Sequence, residues 1–308
     1  MKIATTTADF EEYVPSRDDV CHILPMLHDS GFYHVDVNMY RSNFAGSSVA
    51  ENRWERWADE IAETGARLGM DFVQAHSSDT VFDAGEKYDY DLECVRREIR
   101  VCQKLGIRGM TIHALYKPNT TREEFMQANV AYYTELLKTA EETGVMVYTE
   151  NTCTRNCPTY YLVTGSDMNE LRERLGKHPL FGFCWDVGHA NVQRLKQYDE
   201  IVTMGDGLQA LHIHDNFFDD THGQPYCGNC GYDPIIKGLI DIDYKNYFTL
   251  EAYSLPSPKS FLGRPSLEKD GVVYDKLTTL PLSLKIRSER LMLDVTRYML
   301  DTYNCLEE

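Results

Sequence analysis

The strongest constraint on this chain is an alternation, repeated along its whole length, of a short apolar β-rich run and a longer amphipathic stretch. The runs occupy 2–6, 32–37, 71–75, 109–113, 145–150, 181–186, 208–212 and 247–251. Between them, 49–68, 92–105 and 122–143 carry apolar residues at helical spacing. Gly31, Gly69, Gly106 and Gly144 stand just before strands, where glycine supplies the left-handed turn that ends a helix. From the second strand on, the ends fall near 37, 76, 113, 150, 186, 212 and 251, and eight such units consume the 308 residues. That count predicts an α/β fold of the (β/α)8, or TIM, barrel type rather than an open doubly wound sheet. No Gly/Ser linker or composition break interrupts the pattern, so 1–308 reads as one domain. The proline-bearing stretch 253–280 reads as a long loop, followed by a C-terminal helix over about 287–303. Loops of that length on this face often serve as lids or subunit contacts, which leaves a homo-oligomer open.

Charge narrows the class of partner. Against 48 Asp+Glu stand 31 Lys+Arg, a formal −17, which argues against DNA, RNA or an anionic membrane surface as partner. No segment approaches the roughly 20 apolar residues of a membrane span. The start MKIATTTADFEEY lacks the apolar run of a secretion signal, and nine cysteines, an odd number, fit a reducing compartment. The expectation is a cytoplasmic protein.

In a barrel the strand C-termini converge on one mouth, where active sites are built. Read in order, those ends carry Asp36, His76, His113, Glu150, Asp186 with His189, His212 with His214, and Glu251. Any one of these could cap a helix or satisfy a loop. Seven successive ends bearing histidine or a carboxylate have the composition of a metal site. The core set, Glu150, Asp186, His212 and Glu251, suits one divalent ion such as Mn²⁺, Co²⁺, Zn²⁺ or Mg²⁺. Glu150 and Glu251, on strands five and eight, would flank a bound substrate. They are placed to exchange a proton with a carbon beside a carbonyl while the ion holds the substrate oxygens.

These residues carry a family resemblance. The segments VYTENT with Glu150, FCWDVGHAN with Asp186 and His189, LHIHDN with His212 and Asp215, and YFTLEAY with Glu251 resemble the xylose isomerase-like barrels. That superfamily is the sugar phosphate isomerase/epimerase group, and it also includes endonuclease IV. The resemblance implies that Glu150, Asp186, His212 and Glu251 hold the metal, that the two glutamates act as acid and base, and that His189 contacts a carbohydrate substrate. It favours His212 over the competing His214, because Asp215 follows three residues later. In the endonuclease IV branch the equivalents of His76 and His113 ligate an additional ion, and Asp220-Thr-His222 resembles that branch's D-x-H motif. Up to three ions are therefore accommodated. The alternative is a single ion, with His76, His113, His214 and His222 hydrogen-bonding the substrate.

One departure from the family counts against a ketose 3-epimerase. Those enzymes look to carry an arginine six residues after the metal histidine, and that position here is Phe218. A phosphate cradle is also unconvincing; Gly263-Arg264-Pro265 reads as a plain turn. Cys153, Cys157, Cys227 and Cys230 follow strands five and seven and raise the separate idea of a structural zinc. Among loop aromatics, Tyr40, Tyr116, Phe217 and Phe218 are candidate pocket walls. The resulting expectation is a metal-dependent sugar or polyol isomerase or epimerase. A lyase or dehydratase acting on a keto-sugar or oxidised glycoside through the same proton abstraction is the alternative, and a phosphoesterase of endonuclease IV type the second. A non-catalytic sugar-binding barrel is the remaining class.

Overall fold

The computed structural model describes residues 1–82, 85–155, 157–253, 267–274 and 279–307. Eight strands are parallel: β1 (Lys2–Thr6), β2 (His34–Asn38), β3 (Asp71–His76), β4 (Gly109–Ile112), β5 (Met146–Glu150), β6 (Phe181–Asp186), β7 (Leu208–His212) and β8 (Tyr247–Leu250). Their order is β7-β6-β5-β4-β3-β2-β1-β8, and an Ile213–Leu250 bridge joins the two ends. The Ile213 amide donates to the Thr249 carbonyl at 2.9 Å, and the Glu251 amide to the Ile213 carbonyl at 3.1 Å. The sheet is thus a nearly closed TIM barrel. No helix among the described residues is long and apolar enough to cross a membrane.

The helices are α1 (Val20–Asp29), α2 (Trp54–Leu68), α3 (Glu86–Leu105), α4 (Arg122–Thr143), α5 (Gly165–Arg174), α6 (Val187–Val192), α7 (Gln197–Met204), α8 (Tyr232–Asp241) and α9 (Leu282–Thr302). α2, α3 and α4 end on Gly69, Gly106 and Gly144 with φ of 66°, 72° and 75°, the left-handed caps the sequence implied. α3 begins six residues earlier than its apolar pattern, because its first turn holds Glu86 and Asp89, charges that suit a helix N-terminus. α9 likewise begins at Leu282, directly after Pro281, rather than near 287. Of the stretch 253–280, read from sequence as a loop, the described residues include a small antiparallel hairpin that pairs β9 (Leu267–Lys269) with β10 (Val272–Tyr274). The Gly263–Pro265 turn lies outside the described residues.

Side-chain alternation explains how the barrel presents its polar residues. Glu150, Asp186, His212, Glu251, His76 and His113 share the inward parity of their strands and form a layer at the mouth. One step below lie Asp36, Gln74, Thr111, Tyr148, Cys184, Ala210 and Thr249, all buried. The outward parity, including Val147, Phe183, Trp185 and Leu211, packs under the helices in the main apolar core. Gly109 is required beside Tyr148: a Cβ there would stand 2.2 Å from the tyrosine ring.

Glu98 on α3 ties two mouth loops together. It accepts hydrogen bonds from Ser42, from the Ser78 hydroxyl at 2.7 Å and from the Ser78 amide at 3.1 Å. Burial pushes its carboxyl up to about 7, despite those hydrogen bonds. An unfolded-chain glutamate releases its proton near pH 4.3. The folded state therefore binds the extra proton between these values, and stability contributed by Glu98 falls as pH rises from about 4.5 to about 7. Glu98→Gln should remove a slope worth on the order of 3 kcal/mol. Denaturant titrations at pH 5 and pH 8 test this: relative to the parent, the variant should be more stable at pH 8 than at pH 5.

Candidate metal centre

Glu150 ends β5 and is 1% exposed. Its Oε1 lies 2.6 Å from His212 Nδ1, and its Oε2 lies 2.9 Å from His113 Nε2 and 3.5 Å from His76 Nε2. His212 Nδ1 also faces Glu251 Oε2 at 3.4 Å. Its ring stacks on His76 with centroids 5.4 Å apart. Asp186 ends β6 and caps α6, accepting the His189 amide at 2.6 Å, which places His189 in the first turn beside it. Period-two alternation then puts His214 on the same side as His212. His214 Nε2 comes within 3.0 Å of Asp186 Oδ1, and its ring stacks on His222 at 3.8 Å. His222 returns to the mouth because Asp215 and Gly223 exchange backbone hydrogen bonds at 2.7 Å. Asp220 Oδ1 sits between His222 Nε2 at 3.2 Å and His189 Nε2 at 3.3 Å.

Three groups of potential ligand atoms lie within 4.8 Å of one another: Glu150, Asp186, His212 and Glu251; His76, Glu150 and His212; and His189, His214, Asp220 and His222. The four residues of the core set therefore converge, and His76 joins them. His214, expected as a rival of His212, instead completes a second group with His189, Asp220 and His222. His113, expected beside His76 at an additional ion, belongs to none of the three groups; its Nδ1 lies 3.0 Å from Asp79 Oδ1. No such group includes Cys153, Cys157, Cys227 or Cys230. Cys230 is buried with its amide on Asp215 Oδ1 at 2.9 Å, whereas Cys227 is exposed. The structural-zinc idea is thus not supported among the described residues.

Electrostatics fit a cation. Burial opposes ionisation of Glu150, but the neighbouring His212 and hydrogen bonds from His113, His212 and His76 outweigh it and hold its carboxyl well below the usual range. Asp186 is drawn down to about 2, its burial overcome by His189 and His214. Burial disfavours charge on His113 and His222, yet the adjoining carboxylates raise them to about 10 and about 9. A site that draws positive charge this strongly accepts protons or a divalent ion. Among the described residues, Asp186 Oδ2, Asp220 Oδ1 and both His214 nitrogens are buried without a well-directed hydrogen bond, so the two carboxylate oxygens and one nitrogen of His214 have lone pairs to offer an ion. The residues present therefore fit a divalent metal.

A cavity of about 200 Å³ opens above the site, lined by Thr6, Ala8, Asp9, Asn38, Tyr40, His76, His113, Glu150, Thr152, His189, Asp220, His222, Glu251 and Tyr253. Of the expected aromatic walls only Tyr40 lines it. Phe217 is 66% exposed, and Phe218 packs under Arg194 with its carbonyl bound by Arg155. Asp9, Asn38 and Tyr253 were missed from sequence, as each lies in or beside a loop without periodic pattern. Gly188 is the packing key to the second group, since a Cβ there would stand 1.9 Å from His214 Cε1. Gly188→Ala is expected to displace the stacked His214 and His222 rings and to lower stability by about 1–3 kcal/mol in a denaturant titration.

Comparison with known proteins agrees with this architecture. A family model described as xylose isomerase-like TIM barrel matches residues 17–268. D-psicose 3-epimerase from Clostridium cellulolyticum H10, solved with D-tagatose, superposes with a TM-score of 0.72 at 16% identity, covering 97% of this chain and 99% of that one. The E. coli 3-keto-D-glucoside 4-epimerase YcjR gives 0.69 at 15% identity over 96% and 99%. The IolI protein with a bound zinc atom gives 0.70 at 17% over 98% and 99%. An uncharacterized protein, y4fM of Sinorhizobium fredii (strain NBRC 101917 / NGR234), is 22% identical over 261 residues, 76% of this chain and 81% of that protein. At these identities the solved structures establish the fold, while the family match spans most of the sequence: the chain belongs to the xylose isomerase-like TIM-barrel family.

Proposed function

We propose that the chain is a divalent-metal-dependent sugar or polyol isomerase or epimerase. The observation that carries this reading is the convergence of Glu150, Asp186, His212 and Glu251 beside a cavity of small-molecule size that Glu150 and Glu251 line. Bound by those four residues, a divalent ion would polarise a substrate carbonyl and offset the charge that develops when the adjacent carbon loses a proton. The two glutamates are not equivalent. Both oxygens of Glu150 are engaged by imidazoles, whereas the Glu251 side chain is 24% exposed toward the cavity. Glu251 is thus the group assigned to remove the proton, at the carboxylate oxygen that does not face His212 and His222. Glu150, reaching from β5, would relay to the other face of the substrate a proton drawn from the His113 imidazolium that faces its Oε2. His189 and His222, hydrogen-bonded to the Asn151 and Glu251 carbonyls, would hold substrate hydroxyls.

The neighbours named as D-psicose 3-epimerase and 3-keto-D-glucoside 4-epimerase support a carbohydrate substrate. With Phe218 turned away from the cavity, the far end of that substrate would be held by Asn38, Tyr40 and Tyr253 rather than by an arginine on the β7 loop. A lyase would share the proton abstraction and differ in expelling a β-leaving group. The second ligand group, His189, His214, Asp220 and His222, favours one further reading, a multi-metal phosphoesterase. The net charge of −17 argues against a polyanionic substrate for it.

The test combines metal analysis with a screen of D-fructose, D-tagatose, D-allulose and a 3-keto-glucoside in deuterated water. One ion per chain and deuterium at the carbon beside the carbonyl are expected. Glu251→Gln should slow that exchange by about 10²–10⁴-fold. Two or three ions together with phosphodiester hydrolysis and no carbon-bound deuterium would overturn the proposal.

A further inference from the structure

Beneath the candidate metal centre, a chain of buried polar groups crosses the barrel interior without contacting the cavity. The Thr249 hydroxyl on β8 donates to Gln74 Oε1 on β3 at 3.2 Å. The Gln74 amide nitrogen donates to Asp36 Oδ2 on β2 at 2.9 Å and to the Leu211 carbonyl at 3.4 Å. Asp36 Oδ2 lies 3.5 Å from His212 Nε2. Two atoms in this chain are left over: Asp36 Oδ1 and His212 Nε2 are both buried and have no hydrogen-bond partner among the described residues. Asp36 and His212 are 1% and 0% exposed.

We propose that Asp36 is a positioning residue that fixes which nitrogen of His212 is offered to the metal centre. The inference rests on the metal-centre reading above. His212 Nδ1 faces Glu150 and Glu251, so it must present a lone pair if the imidazole is to share an ion with them. The proton of the neutral ring then belongs on Nε2. An unpaired buried N–H is costly, and Asp36 is the acceptor facing it. A normal N–H···O distance of about 2.9 Å is reached by a shift of roughly half an ångström. Stacking on His76 holds the ring plane, so the hydrogen bond to Asp36 sets its remaining freedom. Such outer partners of ligating histidines set both the tautomer and the affinity of a site.

The rest of the chain makes the assignment sharp. Gln74 points its amide nitrogen at Asp36 because its oxygen is taken by Thr249 and its nitrogen also serves the Leu211 carbonyl. In Asp36→Asn, the new amide oxygen must therefore face Gln74, and its NH₂ must face His212. That arrangement donates to Nε2 and drives the ring proton onto Nδ1, the nitrogen meant for the ion. The substitution is isosteric, so it switches the tautomer without opening a cavity.

The experiment is ¹⁵N-histidine NMR of the full chain, with and without Zn²⁺, on the parent, Asp36→Asn and Asp36→Ala, together with calorimetric Zn²⁺ titrations. In the parent, His212 should keep a slowly exchanging Nε2 proton when Zn²⁺ displaces the Nδ1 proton that faces Glu150 in the metal-free protein. Asp36→Asn should lose the Nε2 proton and weaken Zn²⁺ binding by about 10–100-fold; Asp36→Ala should weaken binding and expose the Nε2 proton to solvent exchange. A parent His212 without a proton on Nε2, or an Asp36→Asn that keeps the parent tautomer with affinity within twofold, overturns the inference. Should the parent bind no Zn²⁺ at all, the metal-centre reading fails, and the Nε2 proton in metal-free protein still decides the role of Asp36.

Discussion

A carboxylate with only 1% of its surface exposed cannot remain ionised unless every oxygen is matched, and Glu150 is such a group. His212 faces one of its oxygens and His113 the other, and each imidazole is backed by an aspartate, Asp36 and Asp79 respectively. Much of the barrel mouth follows from keeping that carboxylate satisfied. β7 and β4 must deliver imidazoles at the level where β5 ends. β2 and the loop after β3 must deliver the outer carboxylates. A removal on either side leaves an uncompensated buried charge, so these positions are coupled more tightly than their distances in sequence suggest.

The same balance separates two kinds of acidic residue in a chain of net charge −17. Many carboxylates are ordinary helix surface, paired with arginine or lysine, such as Glu123 with Arg174 and Asp206 with Arg172. Such exposed pairs contribute little each. Glu150, Asp186, Asp36 and Asp220 instead face histidines inside the barrel, where a low dielectric makes each pairing count. Glu251 is intermediate, close to His212 on one side and open to the cavity on the other. That contrast with Glu150 is what gives the two glutamates different tasks in the proposed reaction.

The strand ends were readable in sequence because barrel geometry converts order along the chain into convergence in space. Glu150, Asp186, His212 and Glu251 needed only the period of two and the count of eight to be placed together, and the structure brings them within one group. The starts of α3 and α9 were not readable, since their first turns are set by charge and by a preceding proline rather than by apolar spacing. His214 could have been recognised as facing the same way as His212. Its partner His222, however, depends on the Asp215–Gly223 backbone pairing, a long-range contact without a local signature. Asp79 was invisible for a similar reason: it lies three residues past β3 in a loop, and only the fold carries it to His113. Gln74 and Thr249 carry no sequence signal beyond strand alternation, and their meaning comes from what stands across the barrel.

The proposed function depends on an ion held among Glu150, Asp186, His212 and Glu251. The most direct measurement is anomalous diffraction from crystals of the protein grown with Mn²⁺, collected on both sides of the manganese absorption edge. A manganese peak is expected within bonding distance of those four side chains, with His212 contributing Nδ1. A peak confined to His189, His214, Asp220 and His222, or none at the barrel mouth, would contradict it.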